Sequence, residues 1–162
     1  MSSWETDKLF SSKRHDWETP KSLFDTLNKE FDFGLDAAAQ QHNAKLDDFI
    51  TPSEDALNVD WEKRAKGRSV WLNPPYGRNI GDWIKKAYFE SLKGVAVVVL
   101  TFVRSDTAWW HEWAMKAAEI RLIRGRVTFV GASQAAPAPS CLIVFDESKK
   151  SPNIFAVEVP RK

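Results

Sequence analysis

The run Val95-Ala96-Val97-Val98-Val99-Leu100-Thr101 constrains the fold more than any other segment of this chain. β-Branched side chains suit a pleated backbone, and a run with no polar alternation leaves neither face for water. It reads as a strand buried on both faces, as in parallel sheets covered by helices. Its flanks agree. Gly81–Leu92 places Trp83, Ile84, Ala87 and Tyr88 on one helical face and ends before Gly94. Asp106–Ala118 reads as a second helix with Asp106 as N-cap. Ser69–Leu72 is a strand stopped by Asn73-Pro74-Pro75, since consecutive prolines supply no donors to a ladder.

Upstream, Lys21–Glu30 spaces Leu23, Phe24 and Leu27 as a helix, with Thr19-Pro20 at N-cap and first turn. Phe31–Asp36 alternates as a strand, with Phe31, Phe33 and Leu35 on one face. Downstream, Glu119–Ile123 and Arg126–Val130 read as strands around Gly125, and Ala132–Pro139 as a loop. Cys141–Phe145 and Ile154–Val159 are the last strands. The β–α–β order, then a β-rich end, predicts an α/β fold, a mostly parallel sheet with a C-terminal antiparallel hairpin.

Composition narrows the function. The 162 residues suit one domain, within the usual span of about 100–200; residues 1–16 read as a flexible arm and 17–162 as the domain. Lys and Arg number 23 against 22 Asp and Glu, a net charge of +1, so a nucleic-acid site must be a local patch. Cys141 is the one cysteine, which excludes internal disulfides and multi-cysteine zinc sites. His15, His42 and His111 have no ligand spacing, so no metal is expected. No apolar run nears the roughly 18 residues of a membrane span. Neither a membrane nor an export signal is expected, and the reading is cytoplasmic.

Asn73-Pro74-Pro75-Tyr76 carries the chemistry. A chance match in a chain this long is on the order of one in a thousand at average residue usage. Its place after a strand is where α/β sheets bind ligands. A planar exocyclic amine such as adenine N-6 is a poor nucleophile, because its lone pair is delocalised into the ring. Two acceptors on its two N–H bonds favour the pyramidal state that attacks a methyl group. The Asn73 side-chain oxygen is one acceptor and the Pro74 carbonyl the other, held in direction by flanking prolines. Tyr76 can stack on the base. Catalysis is then alignment and acceptor placement.

Together with other segments, this motif resembles the phage-type, Dam-like DNA N-6-adenine methyltransferases. Trp17-Glu18-Thr19-Pro20 is similar to the family's opening segment. Leu35-Asp36-Ala37-Ala38-Ala39 and Asn43-Ala44-Lys45 are similar to its first-strand motif. Asp55-Ala56-Leu57 with Asp60-Trp61 resembles the segment before the catalytic strand, and Arg104–Thr107, Gly125-Arg126 and Ala138–Ser140 resemble later ones. The resemblance runs from about Asp16 to Phe145.

It implies a compact Rossmann-like fold and S-adenosylmethionine as methyl donor, with no metal. Asn73, Pro74, Pro75 and Tyr76 are then catalytic, and Trp17, Thr19, Pro20, Asp36, Ala37 and Asp55 hold the donor. The substrate is double-stranded DNA with its target adenine flipped out, in the cytoplasm of a bacterial host of a phage or prophage. The protein is expected to be a monomer or weak homodimer. Asp36–Ala39 stands where many methyltransferases have a Gly-rich loop. Only 36 residues separate Asp36 from Asn73, so loops must replace helices there. The same tetrapeptide also serves methylation of protein glutamine or RNA guanine amines, and a silent DNA-binding relic is a further alternative.

Two basic clusters stand out: Lys63, Arg64, Lys66 and Arg68, and Arg121, Arg124 and Arg126. The second flanks Gly125 and, with Arg104 beyond the buried strand, is the better candidate for phosphate contact. Eight tryptophans are many for this length; Trp71, Trp109, Trp110 and Trp113 read as core.

Overall fold

A computed structural model describes residues 17–149 and 153–158; the expected arm, residues 1–16, lies outside them, as does Val159. The elements in chain order are α1 (Lys21–Phe31), β1 (Phe33–Asp36), α2 (Trp61–Ala65), β2 (Ser69–Leu72), α3 (Ile80–Ser91), β3 (Val97–Phe102), α4 (Ala108–Glu112), β4 (Glu119–Arg124), β5 (Ser140–Phe145) and β6 (Asn153–Glu158). The six strands form one mixed α/β sheet in the order β1-β2-β3-β5-β4-β6. Pairs β1–β2, β2–β3 and β4–β6 are parallel, and β3–β5 and β4–β5 antiparallel. Five strands therefore run one way, and β5 alone is reversed.

The sheet is filled on both sides, as the Val95–Thr101 run required. Val97 and Val99 face a core with Val70, Leu72, Ile84, Trp110 and Ile143. Val98 and Leu100 face the opposite core with Leu23, Phe24, Trp71 and Leu142. Alternation along β2, β3 and β5 distributes side chains between two layers, as period-two geometry dictates. Helix α1 covers one face and α3 the other.

Several expectations are corrected. Phe33 and Leu35 face opposite cores, because the β1–β2 register slips between them, and one extra residue reverses side-chain direction. The slip falls at Gly34, where a Cβ would stand 2.5 Å from the Ala65 carbonyl oxygen. Thr19 does not cap α1; Pro20 occupies the N-cap without a side-chain bond. The 106–118 helix is short: Thr107, not Asp106, is the N-cap of α4, which ends at Glu112 and is followed by a 3-10 turn at Ala114–Lys116.

The segment Arg126–Val130 is no strand, because both edges of β4 are taken, by β5 and β6. It makes one bridge, from Val130 to Glu18. The C-terminal antiparallel pair is accordingly β4–β5, while β6 runs parallel to β4. Between Asp36 and Asn73 there are two 3-10 turns and the five-residue α2, as the short spacing required.

Candidate active site

Strands β1, β2 and β3 end side by side, and residues at and after those ends build the site. Asp36 closes β1, Asn73 follows β2, and Phe102 closes β3. This is the carboxyl edge, where open α/β sheets hold ligands. A cavity of about 290 Å³ opens there, near the lower end of the roughly 300–1,000 Å³ of small-molecule sites. Trp17, Thr19, Asp36, Asp55, Asn73 and Pro75 all line it. Six residues chosen from separate segments thus meet at one cavity. Pro20, Ala37 and Pro74 stand behind the wall: Pro20 begins α1, Pro74 is buried, and the Ala37 N–H donates to the Trp71 carbonyl at 2.9 Å.

The Asn73 amide is held by the chain's opening segment. Its Nδ2 donates to the Trp17 carbonyl at 2.5 Å and to Thr19 Oγ1 at 3.1 Å. A carbonyl only accepts, so the nitrogen must face Trp17 and the oxygen must face away. That oxygen, Oδ1, is sealed from water and has no partner among the described residues. A buried polar atom left unpaired costs about 1–3 kcal/mol. The indole N–H of Trp83, another residue of the cavity wall, is likewise buried without a partner among them.

Asp36 is 2% exposed. Burial pushes its carboxyl up to about 6, against backbone N–H bonds from Lys45 at 3.0 Å and Ala38 at 3.4 Å and the Lys45 charge. The Lys45 ammonium donates to Glu18 at 2.8 Å, linking the Asp36 loop to the segment that holds Asn73. Glu18 and Lys45 were not among the candidate residues, although both stand inside the motif segments quoted above. Asp55 takes a left-handed backbone, φ 54°, and accepts from the Asn58 amide at 2.6 Å.

Tyr76 stacks on Phe102, with ring centroids 4.7 Å apart and planes at 20°, and meets Phe129 edge-on at 6.2 Å. Its phenol is pushed far above the usual range, chiefly by burial. It opens on a second, small cavity of about 50 Å³ shared with Trp17, Phe129 and Gln134. Trp17 is therefore a wall common to both cavities. Phe102 is a further site residue that the sequence reading did not single out.

The candidate arginines separate by surroundings. Arg104 follows β3 on the carboxyl edge, is exposed, and lies 3.8 Å from Asp106. Arg124 and Arg126 are exposed around Gly125, at the carboxyl end of β4; Arg126 donates to the Ala136 carbonyl at 3.4 Å. Arg121 points inward. Its side chain is 8% exposed, donates to Glu30 at 2.7 and 2.5 Å and to Glu119 at 2.8 Å, and lies over the Phe31 ring. A guanidinium so enclosed is placed to hold β4 to α1. In the other cluster, Arg64 pairs with Asp48 and Glu54, and Arg68 with Asp32. Trp71 and Trp110 are buried in the core, with Trp109 and Trp113 packed against it. Cys141 is buried too, which pushes its thiol up to about 12. No helix among the described residues is long and apolar enough to cross a membrane.

A cavity at the carboxyl edge beside an Asn-Pro-Pro-Tyr turn defines a class of ligand-binding α/β domain. Comparison with known proteins gives its family. The profile described as DNA N-6-adenine-methyltransferase (Dam) matches residues 6–161, and the chain belongs to that family. A protein of Haemophilus phage HP1 named DNA N-6-adenine-methyltransferase is 33% identical over 117 residues, 70% of this chain and 65% of that protein. One of the same name from Escherichia phage T1 is 32% identical over 113 residues, 69% of this chain and 46% of that protein. The matched region thus spans less than two thirds of either relative.

Proposed function

We propose that this chain transfers a methyl group from S-adenosylmethionine to the N-6 amine of adenine in double-stranded DNA, on a Rossmann-like methyltransferase fold. The observation that carries the reading is the Asn73 amide: its nitrogen is committed to Trp17 and Thr19, and its oxygen is buried and unpaired. An amine N–H is the complement of that oxygen. S-adenosylmethionine supplies an electrophilic methyl on a sulfonium. The cavity wall suits such a molecule, with the Asp36 and Asp55 carboxylates as acceptors, the Trp83 N–H as donor, and apolar surface from Trp17 and Ile50.

In this reading Asn73 Oδ1 and the Pro74 carbonyl each accept one N–H of the target amine. They strengthen their hold as the nitrogen pyramidalises, so they act on the transition state more than on binding. S-adenosylmethionine, held among Asp36, Asp55 and Trp83, would supply the methyl group to the nitrogen lone pair and leave as a neutral thioether, the amine's surplus proton passing to solvent. Tyr76, backed by Phe102, offers a ring face to the base. A base within a duplex cannot present its amine to this enclosed site, so it must leave the stack. Exposed Arg104, Arg124 and Arg126 are the phosphate contacts, joined by Arg78, exposed two residues beyond Tyr76. The protein acts as a monomer or weak homodimer in the cytoplasm of a bacterial host.

The test is transfer of tritium from methyl-labelled donor to duplex DNA, RNA and protein in parallel. The proposal expects label in DNA alone, recovered as N-6-methyladenine. Label in RNA or protein instead would turn the same motif to another amine or amide.

A further inference from the structure

We infer that Thr19 is a positioning residue for Asn73, setting the plane of its amide through a hydrogen bond and so aiming its free oxygen. The catalytic consequence rests on the adenine reading above; the bond itself does not.

An asparagine amide has two orientations of equal shape, and only its neighbours decide between them. The Trp17 carbonyl makes the first decision, because a flipped amide would set oxygen against oxygen. That carbonyl belongs to a fixed stretch of backbone: the Val130 N–H donates to the Glu18 carbonyl at 3.0 Å, and the Glu18 carboxylate accepts from Lys45 at 2.8 Å. One bond fixes which end faces inward but leaves the amide free to pivot about it. The second bond, to Thr19 Oγ1 at 3.1 Å, fixes the plane. Thr19 is 2% exposed, and its hydroxyl serves this purpose instead of capping α1. The sequence separation of 54 residues hides the relation from any local motif.

Two variants isolate the bond. Thr19→Val keeps the shape and removes the acceptor, while Thr19→Ser keeps the acceptor. With donor and duplex both saturating, Thr19→Val should lower kcat about tenfold, the effect of one ordinary hydrogen bond. Its donor Kd, by calorimetry, should stay within about threefold, and Thr19→Ser should recover most of the lost rate. A loss confined to donor Kd would reduce Thr19 to a donor contact, and an equally slow Thr19→Ser would make it a matter of packing. Either result overturns the inference.

A second readout needs no turnover. The side-chain N–H₂ signals of Asn73 are those that Asn73→Ala removes from a nitrogen–proton correlation spectrum. In Thr19→Val one of the two protons should exchange with water about tenfold faster. Unchanged exchange would show that the bond is absent, whatever the protein methylates. Protected protons in a wild type that methylates no adenine would overturn the adenine reading and leave the bond standing.

Discussion

At Asn73 the two ends of one amide have different work. The nitrogen is fixed by Trp17 and Thr19, and the oxygen is left without a partner. Asn73-Pro74-Pro75-Tyr76 singles Asn73 out in the sequence, but its anchor was not legible there, because the partners lie 54 and 56 positions away. In the proposed reaction the anchor accounts for an amide at this position. A carboxylate is an equally good acceptor for an amine, yet it has no N–H for the Trp17 carbonyl and brings an uncompensated charge into a buried site. Asn73→Asp should therefore lose kcat about as far as Asn73→Ala, on the order of a hundredfold, and should also lower Tm. Full turnover by Asn73→Asp at saturating donor would mean that the anchor does not govern the amide.

Asp36 gives a residue-scale prediction in pH. Its folded pKa of about 6 lies above the ordinary 3.8. The native state then holds the proton more tightly than the unfolded chain. The contribution favours folding below about pH 3.8 and is lost as pH rises through about 6. Asp36→Asn removes that dependence. Without donor it should be more stable than the wild type at pH 7.5 by about 1–2 kcal/mol, with a smaller advantage at pH 5, and it should bind S-adenosylmethionine more weakly. Urea melts at the two pH values read the first effect and calorimetry the second. An equal difference at both pH values would remove Asp36 as the titrating group.

At the scale of elements, β2 was legible to the residue because Asn73-Pro74-Pro75 stops it, and β3 nearly so because burial on both faces leaves a β-branched run little alternative. Arg126–Val130 misled for the opposite reason. Its composition suits a strand, but pairing is decided by which edges are free, and β5 and β6 occupy both edges of β4. The arginines around Gly125 show the same limit. Arg121 sits at an inward position of β4, and its partner Glu30 is 91 residues away on α1. Spacing alone cannot separate it from Arg124 and Arg126.

The separation can be measured. Arg121→Ala removes the cation of Glu30 and one of the two cations of Glu119, which keeps Lys149 at 2.6 Å, and should destabilise the fold by about 1–3 kcal/mol, below the range of a fully broken buried pair because Glu30 is half exposed. It should not change the salt dependence of DNA binding. Arg126→Ala should leave Tm alone and flatten the slope of log affinity against log salt by roughly 0.9, the value of one phosphate contact. An unchanged slope in Arg126→Ala would remove that side chain from the interface.

On the scale of the whole molecule, a near-neutral chain gathers its candidate site residues along one edge of one sheet. The cavity between β1 and β2, the Asn73–Tyr76 turn and the exposed Arg104 all lie at the carboxyl ends of parallel strands. The segment 17–19 ties them together, touching Asn73, Lys45 and Val130 from one short stretch of chain. The strands β1 to β3 were readable because they follow from local pattern. That Asn73 lies at a ligand-binding strand end was readable from its motif, and the meeting of the 17–19 segment, Asp36 and Asp55 with it at one cavity only through the family resemblance.

The most direct test of the account is a single-turnover reaction of labelled S-adenosylmethionine with duplex DNA, digested to nucleosides, for the wild type and Asn73→Ala. The wild type should yield N-6-methyladenine. Asn73→Ala, with donor affinity intact by calorimetry, should form it on the order of a hundredfold more slowly. An Asn73→Ala protein that methylates adenine at the wild-type rate, or a wild type whose label appears in no adenine, would contradict it.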